Sequence, residues 1–499
     1  MNTSNAKINI SFLGICILIS TTIAMSFTGK LDKDILWHFK LGEEILNTKT
    51  ISMADTFSWQ PGLSWVQQEW LYDLLLYGII SLLGTTGMFF LHFLTSIGAF
   101  YCGALIGKAK NYVLYLCFSF SAFMILPLNR GNRPSEFSAW FFILLIWMWR
   151  RSKKHGFFWM FPIAILAANF HGGTIMTLMI VLLLLSATEL FCDFRKHKVF
   201  KQLNVKECIL ALIAFFAGSL LCPSFYRMWT ISPYLPGWNS TLHIPEWMPW
   251  EIGYMEGIFL LTLTLSLGYA LYKTHFTKST IQDTAVLCAF MIATMASTKS
   301  GNILFLLLLV LGFPYFEDLV SDFFGFLFMG KEQRIVKWIS LPHWAVFILC
   351  GALSFILCTA DTYEKDFAAH ANKDHSLKIL SAIKKLPEDT RILNGYLEGN
   401  VLLFNDIKCF IDSRQFPYAT EYEGNTSLDD YIAAITTYRP DEEAIASFLS
   451  TYNFDYLYVT DTMENLSWYL NYADTAYVCV LQDNAKGESL WKKQPQIST

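Results

Sequence analysis

Two aspartates, Asp32 and Asp34, follow the first apolar run in the stretch Asp32-Lys33-Asp34-Ile35-Leu36-Trp37-His38. Carboxylates at a boundary between water and lipid have two chemical uses. They can take the proton from an acceptor hydroxyl, or they can hold a divalent cation (magnesium or manganese) against a lipid-linked phosphate, with Asp34 as the candidate ligand. Asp34 and His38 are spaced i, i+4 and share a helix face, which suits a base with its orienting partner or part of a metal site. A plainer reading stands beside these. Asp32 can cap the helix that starts near Lys33, and Asp34 then favours the positive end of that helix. Glu69 and Asp73 repeat the i, i+4 spacing at the mouth of the next apolar run, between Trp65 and Trp70. An ionisable group at such a place lines a polar cavity or faces water, because lipid exposure costs about 2.5–3.5 kcal/mol at the bilayer centre.

Three more polar knots interrupt apolar runs. Asn129-Arg130-Gly131-Asn132-Arg133-Pro134 carries two arginines, whose forked guanidinium groups suit an anionic phosphate. The same residues also suit a tight turn with snorkelling side chains, and Glu136 is near enough in sequence to pair with Arg133. Asn169-Phe170-His171-Gly172-Gly173 offers Asn169 and His171 as ligand-binding groups, although a lone histidine is more often structural. Lys299-Ser300-Gly301-Asn302 offers Lys299 to a second phosphate oxygen. The segment Pro223–Glu251 holds Trp229, Trp238, Trp247 and Trp250, which suit stacking on sugar rings or anchoring at the interface. Asp412-Ser413-Arg414 reads as a loop facing a membrane site or as an internal salt bridge.

The elements that must position these groups follow from composition. The 499 residues are 54% hydrophobic and only 16% charged, with a mean hydropathy of +0.37. A soluble domain has roughly 25% charged residues, so the chain is a polytopic membrane protein. The net charge of −4 gives no basic patch for nucleic acid. Eleven cysteines include no C-x-x-C pair, which leaves no zinc or redox motif, while Cys409 and Cys479 can pair. The run Ile8 to Phe27 is longer than a secretory core of about 7–15 residues and reads as an uncleaved anchor.

Apolar runs at 68–83, 86–107, 111–128, 135–149, 156–168, 174–192, 207–222, 252–272, 282–298, 303–327 and 341–360 follow. With the anchor they predict about 11 or 12 membrane helices. Basic clusters at Arg150-Arg151-Ser152-Lys153-Lys154, at Arg195-Lys196-His197-Lys198 and at Lys331 to Lys337 mark the cytoplasmic side. The polar knots and everything after Asp361 then fall on the outer side. Counting leaves a parity conflict, so one of the runs 68–83, 86–107 and 111–128 is a partial helix. The expected fold is mainly α: a transmembrane domain over 1–360, with a first outer loop at 28–67, and an extracytoplasmic α/β domain over 361–499. In that domain the pattern predicts helices at 375–387 and 441–452 and strands at 391–393, 409–411, 455–460 and 476–481. No nucleotide-binding glycine motif and no internal repeat is present.

Several of these stretches together resemble bacterial membrane proteins of the GT-C superfamily of glycosyltransferases. They are Asp32-Lys33-Asp34-Ile35-Leu36-Trp37-His38 with Gly42, Asp55-Thr56-Phe57-Ser58, Glu69-Trp70-Leu71, Arg133-Pro134 with Phe137-Ser138, Asn169-Phe170-His171-Gly172 and Ser300-Gly301-Asn302. Asn394-Gly395-Tyr396 and Ile411-Asp412-Ser413-Arg414 extend the likeness into the tail. The resemblance implies a multi-helix core in the plasma (inner) membrane with an outward-facing site, a polyprenyl-phosphate-linked sugar as donor, and a catalytic acidic residue in the first outer loop. The acceptor is a glycan, a lipid or a protein. No Arg-Leu-Pro-Ser follows the second helix, which departs from the protein O-mannosyl and aminoarabinose transferase patterns. On this reading Asp32 and Asp34 are catalytic, and His38, Glu69, Arg130, Arg133, Asn169, His171 and Lys299 bind substrate. Two other classes fit the same polar groups: a transporter or flippase of lipid-linked saccharide, and a non-catalytic subunit of an envelope-assembly complex.

Overall fold

The computed structural model describes residues 10–28, 32–128, 133–151, 156–197, 205–231, 233–234, 244–328, 366–420, 424–436, 439–473 and 476–495. Arg130, Trp238, the run at 341–360 and the basic cluster at 331–337 lie outside them. In chain order the helices begin with α1 (Ile10–Thr28), α2 (Asp34–Thr48), α3 (Trp70–Leu83), α4 (Thr85–Ile97), α5 (Gly103–Ile106), α6 (Tyr112–Ile125), α7 (Pro134–Arg151) and α8 (Gly156–Phe170). They continue with α9 (Ile175–His197), α10 (Val205–Ser219), α11 (Arg227–Ile231), α12 (Tyr254–Lys273), α13 (Lys278–Ala296), α14 (Gly301–Leu307) and α15 (Phe313–Phe328). The tail adds α16 (Phe367–Asn372), α17 (Leu377–Ile383), β1 (Ile392–Leu393), α18 (Glu398–Phe404), α19 (Ser427–Ile435), α20 (Glu442–Tyr452), β2 (Tyr456–Val459), α21 (Glu464–Tyr472), β3 (Tyr477–Asp483) and β4 (Glu488–Lys493).

The chain divides into two compact units, and each is built from separated stretches. The first comprises 1–30, 87–222 and 243–363. Five segments among the described residues are long and apolar enough to cross a membrane: Thr85–Ile106, Gly172–Lys196, Tyr254–Lys273, Lys278–Ala296 and Thr298–Phe323. Shorter apolar helices cover Phe12–Ile23, Trp70–Leu83, Tyr112–Ile125 and Phe157–Phe170. Within this unit α10 packs so closely on α8 that a Cβ on Gly218 would lie 2.4 Å from the Phe161 carbonyl oxygen. Small residues permit such approach between apolar helices. Two helices carry a turn of π winding, at Gly98–Cys102 after α4 and at Leu308–Gly312 after α14.

The second unit comprises 31–86, 223–242 and 364–499. The expected boundary at 360 gave the first loop to the membrane domain, whereas the packing gives it to the tail. The reason is a shared apolar core. Trp37, Leu41, Leu63, Trp65 and Val66 of the loop are buried with Phe410, Ile411, Phe416 and Tyr418 of the tail. Burying each large apolar side chain is worth roughly 1.5–3 kcal/mol, more than a loop gains by lying in water. Helix α2 is amphipathic, with Ile35, Leu36, His38, Leu41, Gly42 and Ile45 on its buried face. It ends where Lys49 turns left-handed at φ 58°. Helix α3 lies along α2, and a Cβ on Gly42 would come within 2.2 Å of the Asp73 carbonyl oxygen, so only glycine fits there. At 14 residues α3 is about 21 Å long against an apolar thickness of ~30 Å.

The tail's sheet has the order β1-β2-β4-β3, with β1 parallel to β2 and the other pairs antiparallel. The expected strands at 391–393, 455–460 and 476–481 coincide with β1, β2 and β3. The expected strand at 409–411 is instead a single bridge between Cys409 and Ser58 of the first loop. Its amides are already used: Cys409 donates to the Phe57 carbonyl at 3.0 Å and Phe410 to Asn394 Oδ1 at 2.8 Å. Cys409 and Cys479 are separate free thiols.

Candidate functional site

In the second unit the first loop's carboxylates meet the tail at the start of α2. The Asp34 amide donates to Asp32 Oδ1 at 3.1 Å, so Asp32 does the terminus-capping work read from the sequence. Asp34 looks the other way. Its Oδ1 accepts from Ser413 Oγ at 2.6 Å and from Asn400 Nδ2 at 3.4 Å. Asn400 Nδ2 also donates to Ser413 Oγ at 2.8 Å, and the Ser413 amide donates to Asn400 Oδ1 at 3.2 Å. The serine hydroxyl is therefore oriented to give its proton to Asp34. Lys33 Nζ pairs with Glu398 Oε1 at 2.9 Å, which fixes the residue between the two aspartates. Both Asp32 and Asp34 stay half-buried, reachable and yet oriented.

The expected Asp34–His38 pairing does not form. A shared helix face only brings side chains near, and a stronger partner faces His38 from α3. His38 Nδ1 lies 2.6 Å from Asp73 Oδ1, and its Nε2 lies 3.7 Å from Glu69 Oε2. The Trp37 ring stacks on the imidazole at 3.5 Å. With His38 at 2% and Asp73 at 0% exposure, this group is a buried clasp between α2 and α3, and Glu69 belongs to it.

Residues 412–414 satisfy both readings of that stretch by alternating. Ser413 turns to Asp34, while Asp412 and Arg414 turn inward. Arg414 Nη2 lies 2.6 Å from Asp412 Oδ2, and its Nη1 lies 2.6 Å from Asp55 Oδ1. Tyr418 Oη donates to Asp412 Oδ2 at 2.8 Å. Burial alone would raise the Asp412 carboxyl, but the Arg414 guanidinium outweighs it and holds the group below the usual carboxylate range.

In the first unit three of the polar knots come together around a carboxylate that the sequence reading passed over. Glu246 Oε2 pairs with Arg133 Nη1 at 2.7 Å, and Glu246 Oε1 with Lys299 Nζ at 3.7 Å. Lys299 also stands 4.1 Å over the Trp247 ring. Burial would raise Glu246, yet Lys299 and Arg133 together lower it. Its segment is pinned to 295–298: Thr298 donates to the Met248 carbonyl at 3.1 Å and Trp250 to the Met295 carbonyl at 3.1 Å. Gly301 sits against Pro127, where a Cβ would lie 2.1 Å from the carbonyl oxygen, which brings the lysine turn to the arginine turn. His171 Nδ1 is 2.5 Å from Ser138 Oγ, one turn into α7. Burial, aided by the Lys299 charge, pushes His171 down to about 3 and keeps it neutral. Asn169 is a tie between helix ends, donating to the carbonyls of Ile165 and Leu221 at 2.8 Å each. Glu136 turns to His92 at 3.4 Å and leaves Arg133 to Glu246. Charge balance is the signal that could have found Glu246, since two cations packed among tryptophans need a counter-ion.

Among the described residues no three His, Cys, Asp or Glu side chains are grouped to hold a metal ion. Asp34 Oδ1 is held by the Ser413 hydroxyl and the Asn400 amide.

No family model matches the chain, and no curated protein matches it by sequence. Solved structures do. The oligosaccharyltransferase of Archaeoglobus fulgidus in its apo form superposes with a TM-score of 0.58 over 96% of this chain and 74% of its own, at 11% identity. The chain has the GT-C fold. The same archaeal enzyme tethered by a disulfide to an acceptor peptide with the NVT sequon gives a TM-score of 0.55 over 93% of this chain and 70% of its own, at 12% identity. The GT-C fold accounts for the mainly helical chain, its apolar helices and the small sheet in the tail.

Proposed function

We propose that the protein is a membrane glycosyltransferase that moves a sugar from a polyprenyl-phosphate donor to an acceptor on the outer face of the membrane. The observation that carries this reading is the ordered carboxylate of Asp34, held by Ser413 and Asn400 at the start of the first loop's helix in a chain of GT-C fold. In the step proposed, the acceptor oxygen forms a bond to the anomeric carbon as the bond from that carbon to the phosphate oxygen breaks. The acceptor proton passes to Asp34, and the polyprenyl phosphate leaves with the electron pair, so the configuration inverts. Asp32 and Lys33 hold the turn that presents Asp34.

The archaeal neighbour was captured with an acceptor peptide, which makes peptide one acceptor to offer beside glycan and lipid. The test is sugar release by the purified chain from a panel of polyprenyl-phosphate sugars, wild type beside Asp34→Asn. Release by wild type alone supports the reading. Equal release by both removes Asp34 from the mechanism, and donor binding without release in either protein favours transport.

A further inference from the structure

Asn394-Gly395-Tyr396 and the turn that follows Ser413 converge, within the second unit, on the serine that holds Asp34. Ser413 is held at each of its polar groups. Its hydroxyl lies between Asn400 and Asp34, and its amide donates to Asn400 Oδ1. Asn400 reaches it because α18 packs tightly on 411–412, where a Cβ on Gly399 would lie 2.0 Å from the Ile411 carbonyl oxygen. The Ser413 carbonyl accepts from Tyr396 Oη at 3.0 Å. That phenol has one proton to give, and Gln415 Nε2 fixes where it goes by donating to the same oxygen at 2.7 Å. Tyr396 is itself anchored, its amide donating to Tyr431 Oη at 3.2 Å. Asn394 ties the stretch to its neighbour, its Nδ2 donating to the Ile411 carbonyl at 2.7 Å.

The turn after Ser413 is strained. Gln415 has φ 63° and ψ −55°, and the Phe416 amide donates to the Arg414 carbonyl at 2.7 Å. Together these make the γ-turn of positive φ, which is rare and strained. Glycine takes positive φ without steric cost. The chain instead has a glutamine there, 4% exposed, whose side-chain amide goes to Tyr396. The flanking residues hold the turn shut. Arg414 is locked between Asp412 and Asp55, and Phe416 packs against Trp65 in the core. Strain of this kind persists only where the surroundings over-determine it, and it clusters at active sites.

We propose that Tyr396 and Gln415 are positioning residues for Asp34 that act through Ser413. The γ-turn sets the direction of the Ser413 carbonyl, the Gln415–Tyr396 pair holds it there, and the serine hydroxyl is thereby kept on the carboxylate. The role belongs to the transfer step of the glycosyltransferase reading and rests on it.

The experiment is a double-variant cycle on the full chain in lipid nanodiscs, with the polyprenyl-phosphate sugar that wild type turns over. Tyr396→Phe should lower kcat by up to the roughly 3–10-fold of Ser413→Ala, the scale of one hydrogen bond, with KM for the donor unchanged. Tyr396→Phe combined with Ser413→Ala should lose no more than Ser413→Ala alone, because both changes act on one contact. Gln415→Met, which keeps the volume and lacks the donor, should follow Tyr396→Phe. Losses that multiply in the double variant, as general loosening would give, or a KM that rises with kcat intact, would overturn the proposal. Gln415→Gly should melt above Gln415→Ala, since glycine takes the positive φ without strain; the reverse order would remove the γ-turn from the proposal. A second measurement needs no turnover: carbodiimide coupling of glycine ethyl ester to carboxylates, read by mass spectrometry. Asp34 should couple faster, and to the same degree, in Tyr396→Phe and Ser413→Ala, with the exposed Asp406 as the unchanged reference. That result in a protein that transfers no sugar would keep the brace and sink the transferase reading. Sugar transfer with wild-type kcat and wild-type coupling in Tyr396→Phe would do the reverse.

Discussion

Ser413 gives its one hydroxyl proton to Asp34 while accepting from Asn400, so the orientation of the Asp34 carboxylate depends on a side chain 379 positions away. Removing the carboxylate's charge by Asp34→Asn should lower sugar transfer by about 10²-fold or more, the scale of general-base catalysis. Ser413→Ala should cost less, roughly 3–10-fold, because the carboxylate remains and only its aim is loosened. Both are read from initial rates of sugar release. Beneath them, Arg414 sits with no exposed side chain between Asp412 and Asp55. Asp412→Ala should lower stability by about 3–5 kcal/mol, since it breaks a buried pair. The pH dependence has a definite sign. The folded-state Asp412 carboxyl is depressed, so its contribution is complete above the ordinary carboxylate value of about 3.9 and is lost as pH falls below it. Thermal midpoints of wild type should therefore drop on acidification below about pH 4, and Asp412→Asn should flatten that limb. At this scale the sequence was informative about identity more than partnership. Asp34, Arg133, His171 and Lys299 stood out as polar groups interrupting apolar runs, but their partners Ser413, Asn400 and Glu246 lie far away in sequence.

Helices α2 and α3 touch at Gly42, and the clasp of His38 with Asp73 and Glu69 closes the same contact. Gly42→Leu should force the pair apart, at a cost of about 1–3 kcal/mol or more. Gly78 on α3 is the control, because a Cβ there meets nothing within 4 Å. Gly78→Ala should leave the stability unchanged or raise it by the ~0.5–1 kcal/mol that helical glycine costs, read as an unchanged or higher thermal midpoint. A fall for both would mean that α3 is sensitive for some reason other than its contact with α2. Local pattern made α20 legible: Asp441 accepts the Ala444 amide as a cap, and apolar residues follow at helical spacing. Strand β4 escaped notice because Glu488 to Lys493 reads as polar, although Leu490 is buried. The apolar stretch at 409–411 misled in the opposite sense, since its backbone is held by the first loop and by Asn394 rather than by the sheet.

Membrane character was plain from composition, and the likeness of single motifs pointed to the fold that the solved structures share. The division into units was not legible, because apolar periodicity says which face is buried and never against what. The second unit needs three stretches of chain, which makes a prediction about truncation. Residues 364–499 produced alone should lack a settled core, having lost Trp37, Leu41, Leu63, Trp65 and Val66. A flat near-ultraviolet circular dichroism spectrum and poorly dispersed amide resonances are expected, and a cooperative thermal transition would show that the tail suffices. The interleaving also sets a clock. The loop ending at residue 86 is made before the tail begins at 364, and at ~5–20 residues per second that gap is on the order of 15–55 s. During this interval two tryptophans and their neighbours wait without a core, so a newborn chain carries an adhesive patch that only its own last quarter can cover. Whatever shields that patch in the cell, whether a chaperone or the membrane surface, is part of how this protein comes to exist.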